Sequence, residues 1–474
     1  RGLNLIKMIV LARLLLPEDF GLFGIVMLAI ATVQTFTKTG FNRALIQRQD
    51  NTEDYLDTAW TVQILRGIGL ASILYAAAPV VAWFFQEPRC VPLLRVMCLS
   101  VVLREFRNTG IVYFRKELQF HKQVIYETGS AAISLVVGII LAYKLQSVWA
   151  LILAGLAKAA TMCWLSFLLH PYRPVIQFDF GKAKPLVQFG KYVLVQGIIL
   201  FLIRQGDDAF VGRFLGASAL GMYQLAYRTS NAAATQITHV VSSVTFPAYS
   251  RIQADGKRLF AALERTFRLV SAAVIPTAAG IFVIAPEFCQ VVLGEKWSAM
   301  VPALRILCMY GLIRGLASCF GPVYAARARL DIPLRFNIIQ LILLGIAIYP
   351  LSAKAGITGT SVAVTVSILP CLYLSARAVS SLLSAPAIKL SKCIYAPSMA
   401  AAGMVVFVCA LKLAVPVSWF GLAIEIAVGA ATYILCVLLL SAKLRDFVAD
   451  VTTKFTGSRY ISTFARSRGS EDVQ

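Results

Sequence analysis

FLIRQGDDAFVGRFLGASALGMY, Phe201–Tyr223, continues a hydrophobic segment yet carries Arg204, Asp207, Asp208 and Arg213. These fall within about three helical turns. Charge inside an apolar span is costly and is retained for a partner, a water-filled cavity or a function. A weaker copy of the stretch lies near the start of the chain. Ala12–Phe23, ARLLLPEDFGLF, aligns without a gap on Gly212–Tyr223, GRFLGASALGMY, so that Arg13 meets Arg213, Leu15 meets Leu215, Gly21 meets Gly221 and Phe23 meets Tyr223. A second match sets Val91–Cys98 (VPLLRVMC) on Val301–Cys308 (VPALRILC) and carries Arg104 onto Arg314. Two matches at nearly one offset, 200 and 210 residues, mark an internal repeat.

Composition explains the setting of that repeat. The 474 residues are 58% hydrophobic and 14% charged, with a mean hydropathy of +0.74. A soluble chain is nearer 45–50% apolar and about 25% charged, so this is a membrane protein. Its net charge of +22 would suggest nucleic acid in a soluble protein. In a membrane protein the same excess collects in cytoplasmic loops and fixes topology, and no nucleic-acid partner is expected. The ten cysteines form no CxxC pair, and His121, His170 and His239 are scattered, so neither a metal site nor a cofactor is expected.

Fourteen apolar runs follow in order, at about 1–16, 20–37, 58–85, 91–113, 123–143, 146–170, 187–206, 217–247, 263–293, 299–326, 333–353, 356–376, 393–412 and 418–441. They lack strand-like alternation and are too long for barrel strands, which leaves helices. The expected fold is an all-α polytopic membrane protein of about fourteen transmembrane helices. The run to Leu16 is short against the ~20 residues a span needs, so the first helix is expected to be truncated. No cleavable signal peptide is expected.

Loop charges alternate. Connections carrying Lys38, Arg43 and Arg48; Arg115, Lys116 and Lys122; Arg251, Lys257 and Arg258; and Arg327, Arg329 and Arg335 alternate with poorly charged ones. By the positive-inside rule the first set, and with it both termini, is cytoplasmic. Spans one to six and seven to twelve then have the same orientation: two parallel-repeat six-helix lobes plus two C-terminal helices, with a site between the lobes. The expected division is 1–170 for the first lobe, 171–186 for a cytoplasmic linker and 187–381 for the second lobe. Helices thirteen and fourteen occupy 382–441, and 442–474 is a cytoplasmic tail. In that tail Leu444, Phe447, Val448, Val451 and Phe455 keep helical spacing for a short interfacial helix, and Gly457–Gln474 reads as disordered.

The spans lean cationic inside. Arg66, Arg104, Arg204, Arg228, Arg314 and Lys158 are the candidate substrate-binding residues, because guanidinium and ammonium groups in a cavity attract phosphate or carboxylate. The plainer alternative is that such residues snorkel to an interface or pair with the few interior acids. It is the stronger one for Arg13, Arg95, Arg213 and Arg305 at span ends. Asp207 and Asp208 point about 100° apart on a helix, so they cannot share one partner. One could pair with Arg204 as a structural lock, and the other could be a proton or cation site coupling transport. No nucleophile elbow, P-loop or paired-carboxylate loop appears, so the chain is not expected to be an enzyme.

Leu11–Val26 (LARLLLPEDFGLFGIV), Ala44–Arg48 (ALIQR) and Asp207–Arg228 (DDAFVGRFLGASALGMYQLAYR) together resemble the bacterial polysaccharide-biosynthesis flippases, the O-antigen, colanic-acid and exopolysaccharide exporters. The third piece follows the pattern D-x-x-x-[IV]-G-x-x-x-G-x-x-x-L-G-x-Y. Phe246-Pro247, Leu293–Trp297 (LGEKW) and Arg305 also fit. The resemblance covers spans one to twelve. It implies a fold similar to multidrug and toxic compound extrusion (MATE) transporters, two lobes around a V-shaped cavity in the bacterial inner membrane. It also implies export of undecaprenyl-diphosphate-linked oligosaccharide by alternating access for lipopolysaccharide, exopolysaccharide or capsule synthesis. Membrane lipids, a polysaccharide polymerase and chain-length machinery are the candidate partners. The alternatives are a peptidoglycan-precursor flippase and a MATE-type drug/cation antiporter, the latter expected to have an acidic cavity. By analogy of fold, helices thirteen and fourteen would form a groove for the lipid tail.

Overall fold

The computed structural model describes residues 2–36, 53–117, 119–176, 190–329, 331–386 and 388–440. The tail helix, Lys38, Arg43 and ALIQR lie outside them. The described chain is helical: α1 Gly2–Leu14, α2 Pro17–Phe36, α3 Glu53–Phe85, α4 Cys90–Glu105, α5 Tyr113–Lys116, α6 Phe120–Leu145, α7 Trp149–Leu169 and α8 Gly190–Phe214. There follow α9 Gly216–Arg251, α10 Gly256–Glu287, α11 Val301–Ala317, α12 Gly321–Ala326, α13 Asp331–Leu382, α14 Ile388–Lys412 and α15 Trp419–Leu440. Where they are described, the apolar runs of the sequence are largely helical. Among the described residues nine helical stretches are long and apolar enough to cross a membrane. Helix is the only open-ended way to satisfy backbone polar groups in hydrocarbon. Trp83, Phe420 and Leu439 are 77%, 84% and 76% exposed, which suits a lipid solvent rather than water.

Two runs differ in detail from their sequence expectation. The run 91–113 is interrupted: α4 stops at Glu105, and Asn108 accepts from the Gly110 N–H at 2.8 Å to open a 3-10 turn, Thr109–Val112. Arg107 helps to end α4, its Nε donating to the Arg104 carbonyl at 2.5 Å. Helix α13 is 52 residues long but breaks at Ala355 and Gly356, the latter at φ 55. The sequence places its boundary between two runs at the same point.

The described residues form two compact units. One comprises Arg1–Ala232, Ala285–Ile313 and Ala328–Ser375; the other comprises Ala233–Ile284, Arg314–Arg327 and Ala376–Gln474. In the first unit the sequence repeat has a direct structural counterpart. A Cβ on Gly21 would lie 1.7 Å from the Ala217 carbonyl oxygen, and one on Gly221 would lie 1.9 Å from that of Pro17. The repeat-equivalent glycines are therefore the crossing point of α2 and α9. Their arginines reach in a related manner. Arg13 donates to the carbonyls of Val291 and Val292, in the turn that follows α10, and Arg213 lies over the Phe84 ring at the end of α3. Trp297 closes the same region: its indole N–H donates to the Ala12 carbonyl at 2.9 Å and its ring meets Phe20 edge-on. Cys98 and Cys308, also repeat-equivalent, are both buried.

The chain after α7 is tied back to the first unit. Asp57 accepts from the Val175 N–H at 2.8 Å and from the Tyr172 hydroxyl, while Asn108 donates to the Tyr172 carbonyl at 2.6 Å. His170 stacks on Tyr113, and Gly110 leaves room for its ring. Burial holds the His170 imidazole below its ordinary pKa, with Lys122 and Arg173 adding to the effect and Glu117 opposing it.

In the second unit α10, α14 and α15 pack together. Ser271 donates to the Cys393 carbonyl at 3.2 Å, Tyr433 to that of Ala272 at 2.7 Å and Lys412 to that of Val283 at 2.7 Å. Pro276, Gly280, Met404, Val408, Gly429 and Ile434 are among the residues lining an apolar cavity of about 420 Å³ there.

Candidate functional site

The site begins with the helical hairpin of α8 and α9. Leu215 joins them, its N–H donating to the Val211 carbonyl, and Gly216 turns the chain at φ +87, a conformation that favours glycine. Residues equally far from this turn face one another. Tyr223 donates to Asp207 Oδ2 at 2.6 Å, and Gln224 Nε2 donates to Asp208 Oδ2 at 3.0 Å. The pair Asp207–Tyr223 forms the two ends of the D-x-x-x-V-G…L-G-x-Y pattern. Gln224 fits because Gly24 of α2 has no side chain: a Cβ there would lie 2.6 Å from the Gln224 amide oxygen.

This corrects one expectation. Arg204 does not lock either aspartate; their polar partners come from α9 instead. A turn connection brings a hydroxyl and an amide directly opposite the carboxylates, whereas Arg204 on the same helix points elsewhere. Arg204 is exposed and makes no hydrogen bond or ion pair among the described residues.

Around the hairpin lies a cavity of about 520 Å³, walled by Phe23 to Gln34 of α2, Arg104 at the end of α4, Arg204 to Asp208 of α8 and Gln224 to Arg228 of α9. Of the sequence candidates it gathers Arg104, Arg204, Arg228, Asp207 and Asp208. Asp207 is 2% exposed, while Arg204 and Arg228 are open to the cavity. Arg228 is the cation whose charge acts on Asp208. A second cavity, of about 680 Å³, shares Arg104 and adds Arg107 and Lys158, with Glu127 as the carboxylate in its wall. Behind Lys158, Lys7 of α1 donates to Ser134 Oγ at 2.8 Å.

Arg66 and Arg314 line neither cavity. Arg66 forms an ion pair with Glu105 at 3.3 Å, beside Gly67, which packs on the same glutamate. Arg314 belongs to the second unit and donates to Thr235. Sequence reasoning missed Tyr223, Gln224, Gln34 and Lys7. Tyr223 and Gln224 were traceable, since each follows its aspartate by sixteen residues across a glycine turn. Gln34 and Lys7 gave no such signal, because a single polar residue in an apolar run does not reveal which face it takes.

The fold is a polytopic helical bundle with an internal repeat and cationic cavities. Solved structures share it: the lipid II flippase MurJ superposes with a TM-score of 0.77 at 15% identity, covering 94% of this chain and 97% of that one. An inward-facing MATE family multidrug resistance transporter superposes at 0.62 and 16% identity, over 81% and 95%. The chain belongs to the polysaccharide biosynthesis protein family, whose model matches residues 10–302. It is similar to the lipopolysaccharide biosynthesis protein WzxC of Escherichia coli, 27% identical over 362 residues, 76% of this chain and 74% of that one. It is also similar to the teichuronic acid biosynthesis protein TuaB of Bacillus subtilis, 27% identical over 65% of each.

Proposed function

We propose that this chain is a flippase that moves undecaprenyl-diphosphate-linked oligosaccharide across the bacterial cytoplasmic membrane by alternating access, for surface polysaccharide synthesis. The observation that carries it is the pair of cavities meeting at Arg104. Cations outnumber carboxylates in each, and Arg204 has no protein partner among the described residues. Unspent positive charge inside an apolar bundle awaits an anion from elsewhere. The family membership and the polysaccharide relatives supply the sugar half of the substrate.

Under this reading the lobes are 1–170 and 187–381, with both termini cytoplasmic, and the helices from 382 to 441 serve the lipid tail. The mostly apolar cavity lined by Gly280, Met404 and Gly429, with Glu425 as its one charged residue, supports that last role. Asp207, buried, and Asp208, partly buried, are the candidates for ion coupling, and both line a cavity. A drug/cation antiporter is disfavoured by the cationic excess. A peptidoglycan-precursor flippase would share the diphosphate, and the relatives' names favour surface polysaccharide over it.

Deletion of the gene tests the proposal. Lipid-linked oligosaccharide is expected to accumulate at the inner leaflet, and surface glycan to disappear. A normal surface glycan in a clean deletion, with no paralogue present, would refute it.

A further inference from the structure

The two cavities differ in chemistry on either side of Arg104, and the inference drawn from that difference rests on the proposed flippase function. Among the described residues, the larger cavity is walled by the first repeat, between Gly2 and Met162. Its charge is concentrated and positioned. Arg107 is held by the Arg104 carbonyl at 2.5 Å and by the Tyr126 hydroxyl at 3.3 Å, and Lys158 has Lys7 behind it. Guanidinium and ammonium groups brought to one space by α4, the segment after it and α7 match the oxygens of a diphosphate.

The smaller cavity is built differently. Gln34, Gln205 and Gln224 bring three amides to its wall, with the rings of Phe23 and Tyr227 beside them. Asp207 and Asp208 offset much of the charge of Arg204 and Arg228 there, so the cationic excess is smaller than in the larger cavity, where Glu127 alone opposes Arg104, Arg107 and Lys158. Amides that donate and accept, together with aromatic faces, suit the hydroxyls and apolar faces of sugars.

The geometry points to a division of the substrate at Arg104: the diphosphate is held by Arg104, Arg107 and Lys158 in the first repeat, and the sugars extend into the glutamine-lined cavity. The second repeat cannot duplicate the anion site. The equivalent of Arg104, Arg314, lies in the other compact unit and is engaged with Thr235.

Binding of farnesyl diphosphate to the purified full chain in detergent, with inorganic diphosphate and farnesol as competitors, tests this. The double variant Arg107→Gln, Lys158→Gln is expected to weaken farnesyl diphosphate about tenfold or more, since each removed cation takes charge-assisted hydrogen bonds with it. Lys158→Arg keeps the charge and should bind within about threefold of wild type, which separates loss of charge from misfolding. The double variant Gln34→Ala, Gln205→Ala should hold farnesyl diphosphate as wild type does yet reduce surface glycan in cells. Inorganic diphosphate should compete and farnesol should not. Equal weakening by the cation and glutamine pairs, or no weakening by the cation pair, would overturn the division while leaving the flippase function standing. Failure of the wild-type chain to bind farnesyl diphosphate would overturn both.

Discussion

Alanine at the α2–α9 crossing is the most demanding test of the fold. A Cβ on Gly21 would stand 1.7 Å from a backbone oxygen and one on Gly221 1.9 Å from another, with the Gly21 nitrogen 2.9 Å away. A carbon next to a carbonyl oxygen needs about 3.3 Å, so the helices must separate by well over 1 Å. The obstacles are backbone atoms and cannot rotate aside. Overpacking of this kind costs about 1–3 kcal/mol, or roughly 1–3 °C in melting temperature for a chain of this size. Because both glycines serve one crossing, a separation forced by one alanine accommodates part of the other. Gly21→Ala, Gly221→Ala should therefore cost less than the sum of the single variants. Gly69→Ala in α3 is the control, since nothing lies within 4 Å of the added carbon. In that open position alanine should be neutral or stabilising by up to about 1 kcal/mol, through helix propensity. Thermal melts of the four variants and the wild type in detergent read all of this. Melting of both crossing variants with the wild type would mean that α2 and α9 do not meet there, and the structural counterpart of the repeat would fall with it.

Three further outcomes follow from the same geometry. Tyr223→Phe leaves the buried Asp207 carboxylate without its hydroxyl donor and should cost about 1–3 kcal/mol; Asp207→Asn in the same background should recover part of that, and a cycle with no coupling would argue against the contact. Arg66→Gln with Glu105→Gln should cost less than the sum of the two single variants, because each single variant already removes the pair; additive melting temperatures would count against a working ion pair. His170 is held below its ordinary value of 6.5 by burial, so its contribution to stability is present above pH 6.5. It is lost as the pH falls through the interval between 6.5 and the lower folded value, where the unfolded chain binds a proton that the folded chain resists. His170→Phe should flatten that part of the curve, and an unchanged slope would rule out the imidazole as its source.

Much of the candidate site is legible in the sequence. Asp207, Asp208, Arg204 and Arg228 stood out because charge is rare in apolar runs, and Arg104 because it fell on the repeat. Their grouping was not visible. Arg66 and Arg104 look alike in sequence, each a guanidinium placed within an apolar run. Only packing gives Arg66 a glutamate from the next helix while Arg104 lines both cavities.

The sequence by itself determined the solvent and the repetition. Apolar runs of membrane length admit only helix, and two gapless matches at nearly one offset require two copies of one unit. These are properties of local composition and of order along the chain. Tertiary structure decided which polar groups meet. Asp207 takes Tyr223 rather than Arg204, and Gly21 meets the backbone of the helix that carries Gly221, because a hairpin and a helix crossing join residues distant in sequence. A helical run carries its polar residues at known angles, but the neighbour each angle faces is set by the packing of the other helices.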